Sequence, residues 1–308
     1  MQINSELENN NFIFTLLCAC KNEEKDINLL IDSIKVINYD FDRFEVIFAD
    51  DSTDNTVEII SNSLINTPVN WRIISCDNEG CCRARNKALQ QSKGKYIIFL
   101  TADTILKSDY LRLLDHNKKN FKIIMPESSC LLPNESPSIY EKYSQTCHRI
   151  IILKTKLKSQ VPYTSQGYCV KKEQAFIAGL ISPPPKGAKN YCNDFTLVKK
   201  MLKNNNEYLF DKRLLVYHKQ PDNLKQFFKE KVLRGKMSRR QKIYQVKLSR
   251  NLISCIALLK LIRTIFKFPL DLFTVFKFSI EFKDINFNSF LILFLVDNFA
   301  FFIGEFFE

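Results

Sequence analysis

"FEVIFADDSTDNTVEII", residues 44–60, sets the architecture. A mostly apolar run of six residues ends in a cluster of acids. Val57, Ile59 and Ile60 then follow at helical rather than alternating spacing. The stretch therefore reads as strand, acidic turn and helix, with Asp54 or a neighbour capping the helix. The pattern repeats on both sides of it. "NFIFTLLCA" (11–19) is too short to cross a membrane and reads as a buried strand, and Ile27, Leu30, Ile31 and Ile34 mark the helix after it. "NWRIIS" is a third strand, "CCRARNKALQQS" a helix closed by Gly94, "KYIIFL" a fourth strand, "SDYLRLLDHN" a helix and "FKIIMP" a fifth strand. Strands alternating with helices predict an α/β fold: a doubly wound, mostly parallel sheet with helices on both faces.

Open sheets of this kind bind ligands in the crevice beyond the carboxyl ends of their strands. Polar and acidic groups gather there in this chain: Glu23 and Glu24 after the first strand, Asp50 and Asp51 after the second, "DNEG" (77–80) after the third and Asp103 after the fourth. Each suits a solvated turn by itself. Four strand ends together point to a ligand.

Laid out in this order, the segments resemble those of the family 2 glycosyltransferases. "CKNEE" is similar to the segment after that family's first strand and "ADDSTDNT" to its acidic turn. "NEGCCRARNKAL" resembles its Gly and "ARN" segment, "KGKYIIFLTADTIL" its metal-binding strand end, "NDFTLVKKM" its catalytic acid motif and "LVYHKQP" its late histidine; the series runs from about residue 12 to 235. The resemblance implies a GT-A fold and an inverting transfer of a sugar from a nucleotide diphosphate donor, read as a UDP-sugar. It assigns Asp194 as general base, since the acceptor hydroxyl must lose its proton on the face opposite the departing diphosphate. Glu23, Asp51, Arg85 and Asp103 become donor-binding residues, with Asp51 at the base or ribose. Asp103 and His218 become ligands of Mg²⁺ or Mn²⁺. The family's strand end carries two acids, and Thr101 stands here in place of the first. One carboxylate can still serve, because donor phosphates and water complete such an ion's shell. Lys21 replaces an aromatic residue and Asn193 an acid, and Arg234-Gly235 loosely resembles a later basic motif. The competing structural roles are a cap by Asp103 on the helix around Tyr110, a cap by Asp194 on the helix "FTLVKKML", and a solvated surface position for Arg85.

Charge is unevenly spread. The chain has 308 residues and a net charge of +12, and Lys199–Lys267 holds 19 Lys or Arg against 4 acids. Composition changes near residue 222. The expected organisation is a nucleotide-sugar-binding catalytic domain over 1–222, partly irregular between 126 and 190, and a basic amphipathic then apolar helical region over 223–308. Lys260, Arg263, Lys267 and Asp297 interrupt the apolar stretch 252–303, and a central charge costs about 2.5–3.5 kcal/mol on insertion scales. Helices lying on an anionic membrane surface therefore fit better than a span, with a hairpin packed on the catalytic domain or in a homodimer through 252–308 as the alternative. A glycan or lipid-linked acceptor and a place on the inner face of the cell membrane follow from the resemblance. "MQINSELENNN" lacks the features of an export signal, and the ten scattered cysteines read as reduced cytosolic thiols. The basic stretch alone suggests nucleic acid, but no nucleic-acid module accompanies it, so that partner is not expected. A non-catalytic nucleotide-sugar-binding relative is the alternative function, motivated by Thr101 and Asn193.

Overall fold

A computed structural model describes residues 12–76, 78, 80–118, 120–132, 136–157, 166–183, 195–204, 206–244, 246–262 and 287–307. Asp194 lies outside them. The described elements are β1 (Phe14–Cys20), α1 (Ile27–Lys35), β2 (Phe44–Asp50), α2 (Thr56–Leu64), β3 (Asn70–Ser75), α3 (Cys81–Gln91), β4 (Tyr96–Leu100), β5 (Thr104–Leu106), α4 (Tyr110–Asn117) and β6 (Ile123–Cys130). After these come α5 (Ile139–Leu157), β7 (Cys169–Lys171), α6 (Lys172–Ile177), α7 (Phe195–Lys203), β8 (Tyr208–His218), α8 (Leu224–Tyr244), a helix over 250–262 termed α9, and α10 (Phe287–Phe306).

The described strands form one sheet in the order β3-β2-β1-β4-β7-β6-β8-β5. β3, β2, β1 and β4 are parallel, and their register keeps Cys20, Asp50 and Ser75 level at one end. β1 and β2 are buried almost throughout, as expected of parallel strands covered on both faces. Phe14, Leu16 and Cys18 with Phe44, Val46 and Phe48 pack against Ile27, Leu30, Ile31 and Ile34 of α1 and Leu111 and Leu114 of α4. The alternate residues face α3, which lies against β1 and β2. On that face Glu45 is 2% exposed; it accepts from Thr15 Oγ1 at 2.7 Å and from Arg72 Nη1 at 2.6 Å. A buried carboxylate is tolerable because it is paired and hydrogen-bonded.

The structure extends this reading and alters parts of it. β7, which the sequence reading did not identify, runs antiparallel between β4 and β6, so antiparallel pairs accompany the parallel core of the sheet. Three residues are too few to display a strand period. Region 126–190, expected to be partly irregular, contains a 19-residue helix, α5, among its described residues. Gly94 does not end α3, whose C-cap is Ser92. A Cβ at Gly94 would come within 2.5 Å of Phe14 C and Thr15 N, so glycine is required there by the close passage of the chain against β1. Among the described cysteines, Cys18, Cys20, Cys76, Cys82 and Cys169 are buried and not disulfide-bonded. Cys81 is disulfide-bonded, which departs from a uniformly reduced set.

The described residues separate into two compact units: 12–128 with 166–183 and 195–218, and 129–157 with 219–307. The first holds the sheet core. In the second, α5, α8 and α10 meet at Tyr143, Phe227, Phe290 and Leu293. α8 and α10 touch backbone to backbone: a Cβ on Gly235 would overlap Phe301 O, and one on Gly304 would overlap Val232 O.

Candidate functional site

The loops leaving the level ends of β1 and β2 are stitched together by short polar side chains. Asn22 adopts φ 58°, a left-handed conformation that Asn tolerates better than most residues. Its N–H donates to Ser52 Oγ at 2.8 Å, and its Oδ1 accepts from Thr53 N at 2.8 Å. The Glu23 N–H donates to Thr56 Oγ1 at 2.8 Å, and Glu24 N–H to Asp54 Oδ2 at 3.3 Å. Asp54 in turn accepts from Thr56 N at 3.1 Å, closing an Asx turn, while the N-cap position of α2 is its neighbour Asn55, whose side chain makes no capping bond.

Adjacent Asp50 and Asp51 have different surroundings. Asp50 is buried and both its oxygens serve the turn, accepting from Ser52 N at 3.0 Å and Ser52 Oγ at 2.7 Å. Half-buried Asp51 reaches toward the loop after β3, where its Oδ1 accepts from Asn78 N at 2.7 Å. Lys21 Nζ donates to Asn78 Oδ1 at 2.9 Å. Thus the residue standing where the family has an aromatic ties the first loop to the third.

Asp103 is positioned by a strand pairing that joins distant parts of the chain. Immediately after it, β5 pairs antiparallel with the end of β8, and Thr104 faces His218. His218 Nε2 lies 3.1 Å from Asp103 Oδ2, with the two side chains 18% and 30% exposed. Thr101, in place of an acid, hydrogen-bonds Asp103 through its hydroxyl and lies 2.8 Å from Thr104 Oγ1. Burial pushes the Asp103 carboxyl up, but the His218 charge and hydrogen bond and the Thr101 hydroxyl outweigh it, leaving it below the usual carboxylate value. Asp103 does not cap the following helix: β5 intervenes, and the N-cap position of α4 is Asp109.

Glu23 belongs electrostatically to the same place. Its carboxyl is pushed from 4.5 to about 7, first by burial and then by the charges of Asp103, Asp26 and Asp54. Clustered carboxylates of this kind favour a cation between them and an anionic ligand. The Asp103 carboxylate and the His218 imidazole fit two positions around Mn²⁺ or Mg²⁺, with substrate oxygens and water supplying the rest. No group of three such ligands occurs among the described residues, so phosphate and water would have to provide most of the shell.

Asp103 and His218 are thus brought together within electrostatic reach of Glu23, with Asp51 at the neighbouring strand end. Arg85 lies in the second turn of α3 and is 4% exposed, which excludes the solvated surface position. Gly80 precedes α3 with φ 84°, a conformation natural to glycine. Asn86, beside Arg85, carries a role that sequence reading missed. It donates from Nδ2 to Ile181 O at 2.8 Å and accepts from Ile181 N at 3.1 Å. The "ARN" segment was its only signal, and the partner lies 95 residues away. Arg234 pairs with Glu230, and Gly235 serves the α8–α10 crossing.

The chain is similar to known glycosyltransferases in sequence and in fold. Residues 15–127 match the family model "Glycosyl transferase family 2". Poly-beta-1,6-N-acetyl-D-glucosamine synthase of Staphylococcus epidermidis is 28% identical over 188 residues, which are 60% of this chain and 39% of the synthase. Poly(ribitol-phosphate) beta-N-acetylglucosaminyltransferase TarS of Staphylococcus aureus is 27% identical over 100 residues, 32% of this chain and 18% of TarS. The chain therefore spans well under half the length of these curated relatives. Among solved structures, TarS 1–349 in complex with UDP-GlcNAc superposes with a TM-score of 0.54 at 15% identity, covering 96% of this chain and 91% of that one. A mannosyltransferase from Pyrobaculum calidifontis in complex with GDP-Man and Mn²⁺ gives 0.57 at 13% identity, covering 78% and 66%. These likenesses give the chain a GT-A-type fold.

Proposed function

Because residues 15–127 of this chain belong to glycosyl transferase family 2, we propose that it is an inverting glycosyltransferase. It moves a sugar from a nucleotide diphosphate donor, read as a UDP-sugar, to a lipid-linked or envelope glycan acceptor at the inner face of the cell membrane. The observation that supports this most is the Asp103–His218 pair, 3.1 Å apart at the end of β4 and within electrostatic reach of Glu23. A divalent ion held by Asp103 and His218, when bound, would offset the negative charge of the donor diphosphate. Asp51 accepts hydrogen bonds from the base or ribose. Arg85 and the start of α3 favour the anionic end of the donor. Asp194, directly before α7, takes the acceptor proton as the hydroxyl attacks the anomeric carbon. The relatives' own activities, a poly-N-acetylglucosamine synthase and a poly(ribitol-phosphate) N-acetylglucosaminyltransferase, support UDP-GlcNAc as the first donor to try.

The test is release of nucleotide diphosphate from a panel of nucleotide-sugars, with Mn²⁺ or with EDTA. EDTA and Asp103→Asn should each suppress release, and Asp194→Asn should lower kcat about 10²–10⁴-fold, the range for a lost general base. Release unchanged in both variants would overturn the site assignment.

A further inference from the structure

The second unit carries an apolar surface that its own charges do not cover. On α9, Leu252, Leu259 and Ile262 are exposed at spacings of seven and three. On α10, Ile292, Leu295 and Phe299 are exposed at spacings of three and four. Each set lies along one helical stripe. The carboxylates are turned away from solvent-facing roles: Asp297 pairs with Lys231 at 3.3 Å and accepts from Tyr143 OH at 3.1 Å, Glu305 takes Lys242 and Lys260, and Glu230 takes Arg234. Those are all the acids on α8, α9 and α10 among the described residues. Lys225, Lys229, Lys247 and Arg250 stay exposed.

By length and composition, Asn288–Phe306 could cross a membrane. Its neighbour argues otherwise. α8 runs beside α10 in the same direction, from Phe227 near Phe290, through Lys231 with Asp297 and Gly235 with Gly304, to Lys242 with Glu305. A spanning α10 would carry α8 and its eight Lys and Arg into hydrocarbon, where charged side chains are strongly disfavoured.

We propose that α9 and α10 lie flat in the interface of an anionic bilayer, their stripes toward the acyl chains, with Lys225, Lys229, Lys247 and Arg250 meeting lipid phosphates. Apolar burial and cationic attraction are together what interfacial helices require. Charge complementarity selects lipid over a second copy of the chain, which would bring the same cations together with no exposed acid on these helices to meet them.

Flotation of the full chain with vesicles of phosphatidylcholine, with and without one-third phosphatidylglycerol, tests this. The bound fraction should be about tenfold higher with phosphatidylglycerol and should fall with added salt. Ile292→Glu with Phe299→Glu should lower it about tenfold while the circular dichroism spectrum is kept. A second readout spares the fold: Cys255 is exposed within the α9 stripe, and an environment-sensitive fluorophore on it should shift to the blue with phosphatidylglycerol vesicles. Equal binding to neutral vesicles, no shift at Cys255, or a dimer by light scattering that the double variant dissolves would each overturn the proposal. No donor sugar is present, so the transferase reading and this proposal fail separately.

Discussion

The two units handle charge and apolar surface in opposite ways. In the first, the apolar residues of β1, β2 and β4 are interior and the acids gather at the strand ends, where Asp103 pairs with His218 within electrostatic reach of Glu23. In the second, acids are turned inward onto lysines, and Ile292, Leu295 and Phe299 face outward. Under the function and the membrane contact proposed above, the contrast is one of task. A pocket for an anion needs polar groups at its mouth and rigid strands beneath them. A surface that meets lipid needs its carboxylates neutralised before its apolar side chains are presented.

Core truncation is the strongest way to test that contrast. Phe48→Ala at the centre of β2, with the side chain fully buried, should cost about 3–5 kcal/mol in urea unfolding. A smaller cost is expected at the α8–α10 crossing, where Gly304→Ala forces the helices apart for about 1–3 kcal/mol. If the second unit is held together at that contact, near-ultraviolet dichroism of its aromatic cluster changes while donor binding does not.

Glu23 sharpens the comparison through pH. Its folded pKa of about 7 exceeds the ordinary 4.5, so the folded state holds this proton more tightly than the unfolded chain. The associated stability is fully present below about pH 4.5 and is lost as pH rises through 7. Glu23→Gln should therefore remove that part of the pH dependence and raise Tm at pH 8, measured by calorimetry beside the parent. The smallest effect is expected at the outward stripe: Ile292→Ser should change stability by no more than about 0.5 kcal/mol. A loss comparable to that of Phe48→Ala would show that the stripe is core, and the contrast between the units would collapse.

Much of the first unit is legible in the chain. The apolar spacing of residues 27, 30, 31 and 34 and the runs 14–20 and 44–50 give helix and strands directly, because those periods are set by local geometry. The acids at strand ends are legible for the same reason, since they follow where the runs stop. The three-residue β7 is not, and neither is the use of Gly94, whose need for glycine comes from Phe14 and Thr15 on another strand. Asp194 and Arg85 came only from the family resemblance. Of these, Arg85 proves buried, while Asp194 lies outside the described residues.

Sequence alone determined the βα order, the acidic strand ends and the basic, apolar character of the last third, because each is a property of neighbours along the chain. The tertiary structure decided that Thr104 of β5 faces His218, that β7 turns the sheet mixed, and that Asp297 and Glu305 are neutralised by lysines. Contacts between residues 60 or 110 positions apart depend on which surfaces close against each other, and no local period records that choice.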